Sequence, residues 1–175
     1  MNRAEHEPPE HEAHSRVNLP ELRRKLHGAG ETEALGRALG AELRPGDLLA
    51  LRGELGAGKT TLVRGIAAGM GIDPEQVRSP TFVLHQVYSR DGAMLHHLDA
   101  YRLGAGADLR HEVDLDGLLE QGVVVVEWAE FVPLGDLNVV EIRLEVDAPD
   151  VRTAVLDASA PARLRRAFWT EVAAS

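Results

Sequence analysis

The sequence predicts an α/β domain built on a central, mainly parallel sheet. Three observations carry that prediction. First, Leu48-Leu49-Ala50-Leu51-Arg52 is an apolar run of strand length that leads into a glycine-rich loop, and the loop opens a helix-patterned stretch from Thr60 to Ala67. Second, Gly122-Val123-Val124-Val125-Val126 sets four β-branched residues in a row, the mark of a strand covered on both faces. Third, Thr81–Tyr88 and Met94–Asp99 flank Ser89-Arg90-Asp91-Gly92, two strand-like runs around a turn, which reads as a β-hairpin. A strand, loop, helix and further buried strand assemble into a sheet with helices on its faces. The hairpin and the C-terminal alternating strand over 140–146 suggest antiparallel additions, so the sheet is expected to be mixed.

The remaining elements follow in order. Residues 1–16 are rich in Glu, His and Pro with almost nothing apolar, which predicts a disordered tail ahead of a single domain over 17–175. His6, His11 and His14 in that tail read as solvated rather than as metal ligands. Leu22–Leu26 fits a first strand or the end of a short helix. Ala34, Leu35, Ala38, Leu39 and Leu43 recur at helical spacing, with Glu31 or Thr32 in the first turn and Pro45-Gly46-Asp47 as the stop. Leu103–Ala107 is a Gly/Ala-rich loop, and Leu109–Leu119 is expected to be one helix. Val140, Ile142, Leu144 and Val146 alternate with charged residues, a strand with one wet face, which Arg152–Leu156 can pair. Pro161–Val172 closes the chain as an amphipathic helix.

At 175 residues the length suits one domain. No apolar stretch approaches 18 residues, which excludes a membrane-spanning helix, and the N-terminus lacks a basic-then-apolar export pattern. The chain has no cysteine, so disulfides, thiolate metal sites and a cysteine nucleophile are all excluded. A cytoplasmic protein is expected. The formal net charge of −9 argues against a large electrostatic footprint on DNA or RNA.

The loop carries the chemistry. Gly53-Glu54-Leu55-Gly56-Ala57-Gly58-Lys59-Thr60-Thr61 fits the phosphate-binding pattern G-x-x-x-x-G-K-[ST] at every fixed position, and this predicts a P-loop NTPase fold. Glycines let successive backbone N–H groups turn inward toward the phosphates. Lys59 is one of only two lysines in a chain that otherwise uses arginine, and it stands where the β- and γ-phosphates require a compact cation. Thr60 offers its hydroxyl to Mg²⁺. The loop thus predicts a nucleotide and Mg²⁺ as ligands, with the backbone N–H groups, Lys59 and Thr60 meeting the phosphates and the metal. No N-K-x-D guanine-reading motif occurs, which disfavours GTP.

Hydrolysis or transfer also needs a placed acid. Glu127 ends the Val123–Val126 run, where it can hold Mg²⁺ beside Thr60. Asp99 ends the second hairpin strand, where it can orient the attacking water, support the metal, or simply cap the following turn. His97 shares a strand face with Asp99 and reads as an orienting neighbour. Arg102 reads equally as a charge stabiliser or a surface ion pair. Trp128 fits core packing best, with packing under the site or stacking on a partner as alternatives.

Beyond the loop, Glu31-Thr32 with Leu35-Gly36, Ser79-Pro80-Thr81-Phe82, His97-Leu98-Asp99-Ala100-Tyr101-Arg102-Leu103 and Val126-Glu127-Trp128-Ala129-Glu130 stand in order across roughly residues 31–130. In this combination the chain resembles the TsaE (YjeE) family, the small ATPases of bacterial tRNA threonylcarbamoyladenosine formation. The resemblance implies ATP binding and hydrolysis at a TsaB–TsaD complex, which acts on position 37 of tRNAs reading codons that begin with A. It implies that tRNA is reached through that complex rather than bound directly. It places Thr32 at the nucleoside end, Gly56–Thr61 on the phosphates, Thr60 and Glu127 on Mg²⁺, Asp99 and Lys59 in catalysis, and Ser79–Phe82 in a switch-like segment. The chain departs from the pattern at Ala100, at Asp114 before Leu115, and in the tail through Arg16. Two other readings use the same loop: a small-molecule kinase with an acceptor site over 103–119, and a nucleotide-sensing adaptor with negligible hydrolysis.

Overall fold

The computed structural model describes residues 20–79, 84–104, 108–134 and 137–170. Seven strands form one sheet: β1 (Leu22–His27), β2 (Leu48–Arg52), β3 (His85–Arg90), β4 (Ala93–Asp99), β5 (Val123–Glu127), β6 (Val139–Ala148) and β7 (Val151–Leu156). Their spatial order is β1-β7-β6-β2-β5-β4-β3. The middle pairs β6·β2, β2·β5 and β5·β4 are parallel, whereas β1·β7, β7·β6 and β4·β3 are antiparallel. The sheet is therefore mixed, with a four-stranded parallel centre and antiparallel strands on both edges. Leu22–Leu26, which sequence left between strand and helix, lies in the edge strand β1.

One face carries α1 (Gly28–Glu42), α2 (Lys59–Gly69) and α5 (Ala162–Trp169), and the other carries α3 (Leu109–Glu112) and α4 (Leu115–Gln121). β5 shows why its sequence lacks alternation. Val123 and Val125 enter the core under α1 and α2, while Val124 and Val126 enter the second core with Leu109 and Leu115. All four are essentially inaccessible to solvent.

Three elements differ from the sequence expectation. α1 starts a turn early, because the Glu31 carboxylate accepts the His27 amide at 2.7 Å and fastens the helix start. Gly28 and Gly30 hid this start, since glycine is a poor helix former. The 109–119 stretch is two short helices rather than one, because the Asp114 carboxylate accepts the Gly117 amide at 3.1 Å and caps α4 at the break. The alternating strand β6 is itself parallel to β2, and the antiparallel partner is β7. Its charged side chains pair within the strand and with neighbouring segments: Arg143 meets Glu145 at 3.0 Å and Glu21 at 3.3 Å, and Glu141 meets Arg52 of β2 at 2.8 Å.

The expected hairpin is present, and Asp91 (φ 50°) and Gly92 (φ 87°) both take the positive φ of a tight two-residue turn. α5 ends at Trp169, where Thr170 turns extended, short of the predicted end at Val172; residues 171 and 172 lie outside the described residues. The predicted tail, its three histidines, the segment Pro80–Val83 and part of the 103–107 loop also lie outside the described residues. Among the described residues no helix is long and apolar enough to cross a membrane.

The candidate nucleotide site

The C-terminal ends of the parallel strands β2, β4 and β5 converge on one edge of the sheet, the usual ligand edge of open α/β folds. β2 runs out at Arg52 into the glycine-rich loop, and the register sets Glu127 of β5 beside both Leu51 of β2 and Asp99 of β4. Parallel neighbours in register point to the same face. Glu127, Asp99 and His97 therefore all face α2.

The loop reaches α2 through Gly56 (φ 78°) and Gly58 (φ 101°), left-handed positions where a side chain would be strained. Lys59 and Thr60 then open the helix, so the positive end of an 11-residue helix lies at the loop. Ala57 is fully buried and Thr61 half-buried in the first turn. Thr32 of α1 is buried next to the loop, with its methyl group 3.7 Å from where a Cβ on Gly58 would stand.

Thr60 and Glu127 meet directly. The Thr60 hydroxyl lies 2.9 and 3.1 Å from the two carboxylate oxygens of Glu127. His97, wholly buried, brings Nε2 to 2.8 Å from Glu127 Oε1, so one carboxylate gathers a hydroxyl and an imidazole. Its Nδ1 has no hydrogen-bond partner among the described residues. The Asp99 carboxylate is buried and accepts the Tyr101 amide at 2.9 Å, which makes it a turn cap as well as a neighbour of Glu127. Arg102 follows in the same short turn, Ala100–Arg102, and is exposed.

Lys59 is only 4% exposed. Its ammonium donates to the carbonyls of Gly53 at 2.5 Å and Glu54 at 3.0 Å, and lies 3.5 Å from the centre of the Trp128 ring. Burial pushes its pKa down, and the carboxylates of Glu127, Glu130, Asp99 and Glu54 oppose that shift. Trp128 is thus only partly a core residue. It reaches the second core but spends one ring face on the loop lysine.

Thr60 and Glu127 are both hard oxygen donors, a set that suits Mg²⁺, which takes one or two protein ligands and completes its shell with water and substrate phosphates. Among the described residues no group of three or more His, Cys, Asp or Glu is placed to hold a metal ion.

Sequence reasoning missed Arg152. From β7 it donates to the carbonyls of Ala148, Pro149 and Val151 and reaches Gly56 O at 3.2 Å, so it ties the β6–β7 turn to the loop. No local pattern in sequence links residues 96 positions apart.

The chain is similar to known proteins over the region that builds this site. Residues 26–154 match the family model described as threonylcarbamoyl adenosine biosynthesis protein TsaE. The tRNA threonylcarbamoyladenosine biosynthesis protein TsaE of Streptomyces coelicolor is 49% identical over 115 residues, covering 65% of this chain and 76% of that relative. The protein of the same name from Mycobacterium leprae is 46% identical over 138 residues, covering 71% of this chain and 83% of that relative. The crystal structure of Bacillus subtilis YdiB superposes with a TM-score of 0.64 at 28% identity, covering 85% of this chain and 94% of that one. The α/β architecture is that of a P-loop NTPase, and the chain belongs to the TsaE family.

Proposed function

We propose that the protein is a P-loop ATPase that binds and hydrolyses Mg-ATP in the service of tRNA threonylcarbamoyladenosine formation. The observation that supports this reading best is the contact between Thr60 and Glu127, next to a lysine at the start of α2. A loop that only recognised an anion would have no need of a buried carboxylate against its threonine. A loop that holds Mg²⁺ on a triphosphate does.

In this reading Gly56, Ala57, Gly58, Lys59, Thr60 and Thr61 hold the phosphates, and Thr32 lies toward the nucleoside end. Thr60 and Glu127 hold Mg²⁺, which when bound neutralises charge developing on the β- and γ-oxygens. His97 steadies Glu127 through Nε2. Water attacks the γ-phosphorus, the bond to the β,γ-bridging oxygen breaks, and its electron pair leaves with ADP. Asp99 supports this step from beside Glu127, and Lys59 balances charge on the leaving side. The function of the hydrolysis is to reset a TsaB–TsaD complex in the cytoplasm between turnovers. tRNA is met through that complex, since the chain's net charge of −9 favours little direct affinity.

The test is phosphate release from Mg-ATP by the purified chain, alone and with a TsaB–TsaD pair. Release stimulated by the pair and lost in Lys59→Ala and Asp99→Ala is the expected result. Release that answers only to a small hydroxylated acceptor would assign a kinase. ATP binding without turnover in either condition would assign a sensor.

A further inference from the structure

Trp128 immediately follows Glu127 at the end of β5, and its backbone does not continue the strand. In a continuing strand residue 128 would face away from Glu127. Instead Trp128 adopts φ 58° and ψ 38°, the left-handed region, which is costly for a bulky residue. The consequence is that Glu127 and Trp128 serve the same loop. The carboxylate takes the Thr60 hydroxyl, and the indole face lies over the ammonium of the preceding residue, Lys59.

The indole is braced in that pose. Phe131 stacks on it at 5.8 Å with the rings 16° apart, Tyr101 packs at 4.9 Å, and Tyr101 and Phe131 meet each other at 6.1 Å. The Phe131 amide donates to the Trp128 carbonyl at 3.0 Å, which closes the turn that carries both rings. Tyr101 is in turn tied to Asp99 through its amide. An ammonium on a flexible four-carbon stem is thus held by two loop carbonyls on one side and an aromatic face on another. A cation over a desolvated indole is among the stronger contacts of its kind.

We propose that Trp128 is a positioning residue for Lys59. The aromatic face keeps the buried ammonium aimed within the loop, and the left-handed backbone at 128 exists to place that face there. The inference rests on the reading of the loop as a nucleotide site. It asks for an aromatic ring at 128, not merely for bulk.

Two measurements test it on the full chain. The first needs no nucleotide. With Trp169→Phe as background, Trp128 is the only tryptophan, and Lys59→Met should change its fluorescence by removing the cation from the ring. Unchanged emission would overturn the contact. The second is the dissociation constant for Mg-ADP. Trp128→Phe should bind within about threefold of the parent, and Trp128→Leu about tenfold more weakly. Trp128→Asn serves where leucine impairs folding, because asparagine tolerates the left-handed region, and it should also bind about tenfold more weakly. Parent-like affinity in the leucine or asparagine variant, or equal loss in the phenylalanine and leucine variants, would reject the proposal. If the parent chain itself does not bind Mg-ADP, the nucleotide reading fails, and the fluorescence experiment still decides the Lys59–Trp128 relationship.

Discussion

The Thr60 hydroxyl bonds both oxygens of the Glu127 carboxylate, at 2.9 and 3.1 Å, across 67 positions of sequence. The carboxylate that closes β5 thereby addresses the first turn of the helix that follows β2. Its other neighbour, His97 Nε2 at 2.8 Å, approaches from β4, so three elements fix one acid. Glu127→Gln keeps the shape and can still meet Thr60, yet removes the charge that a cation needs. ATP hydrolysis should fall by at least roughly 10–100-fold while Mg²⁺-free nucleotide binding stays within a few-fold. His97→Gln, which can still donate to Glu127, should retain most activity, and His97→Ala should raise the Mg²⁺ concentration for half-maximal rate by about tenfold. Equal Mg²⁺ dependence in the alanine variant and the parent would remove His97 from the site.

Behind the loop helix, glycines let its backbone approach that of α1 closely. A Cβ on Gly36 would stand 2.3 Å from the Leu62 carbonyl oxygen, and one on Gly65 would stand 2.2 Å from that of Glu33. α1 and α2 pack closely enough that neither position has room for a methyl group. Gly36→Ala and Gly65→Ala should each cost about 1–3 kcal/mol, which in a chain of this size lowers the melting temperature by roughly 2–4 °C per kcal/mol. Gly30 lies in the first turn of α1 with nothing within 4 Å of its Cβ position. Gly30→Ala should therefore stabilise by about 0.4–1 kcal/mol, through the unfolded chain's lost freedom. Calorimetric melting of the three variants checks both signs.

Much of this arrangement was legible in sequence because it is written locally. The loop, the four consecutive valines, the Asp91-Gly92 turn and the acids at two strand ends each announce themselves within a few residues. What was hidden depends on contacts between distant segments. The early start of α1 needed the Glu31 carboxylate to offset two glycines. The break at Asp114 looked like an ordinary helical position until its side chain turned back on Gly117. The parallel direction of β6 depends on β2 accepting it, which its alternating pattern cannot declare. Trp128 was legible in part, since it packs against the second core as expected, while its contact with Lys59 was hidden. An aromatic residue after a buried strand usually enters a core, and only the left-handed backbone turned its ring onto Lys59.

Arg152 illustrates the same limit and yields a prediction. Its guanidinium meets Gly56 O at 3.2 Å while also holding the carbonyls of Ala148, Pro149 and Val151. A single planar fork thus joins the β6–β7 turn to the glycine-rich loop. Arg152→Ala should leave the loop less constrained and raise the KM for ATP about threefold to tenfold, with kcat nearly unchanged. Arg152→Lys cannot span the same carbonyls and should resemble the alanine variant. A lysine variant indistinguishable from the parent would show that charge alone suffices there.

The last prediction concerns a histidine pair away from the loop. His85 Nε2 and His96 Nδ1 lie 3.1 Å apart, and His96 is 2% exposed with no partner for Nε2 among the described residues. Burial lowers the pKa of both rings, with His85 further lowering that of His96 and His97 further lowering that of His85. A histidine whose folded pKa is depressed binds its proton in the unfolded chain first. Stability is then complete above the unfolded value near 6.5 and falls as pH drops below it toward the folded pKa. The slope approaches about 1.4 kcal/mol per pH unit for one fully linked proton. His96→Gln can still hydrogen-bond His85 but does not titrate, so urea unfolding at pH 7 and pH 5.5 should show a smaller loss in the variant than in the parent. Carboxylates contribute alike to both chains and cancel in the comparison. An identical loss in the two would mean that His96 carries its proton as readily in the folded protein as in the unfolded one.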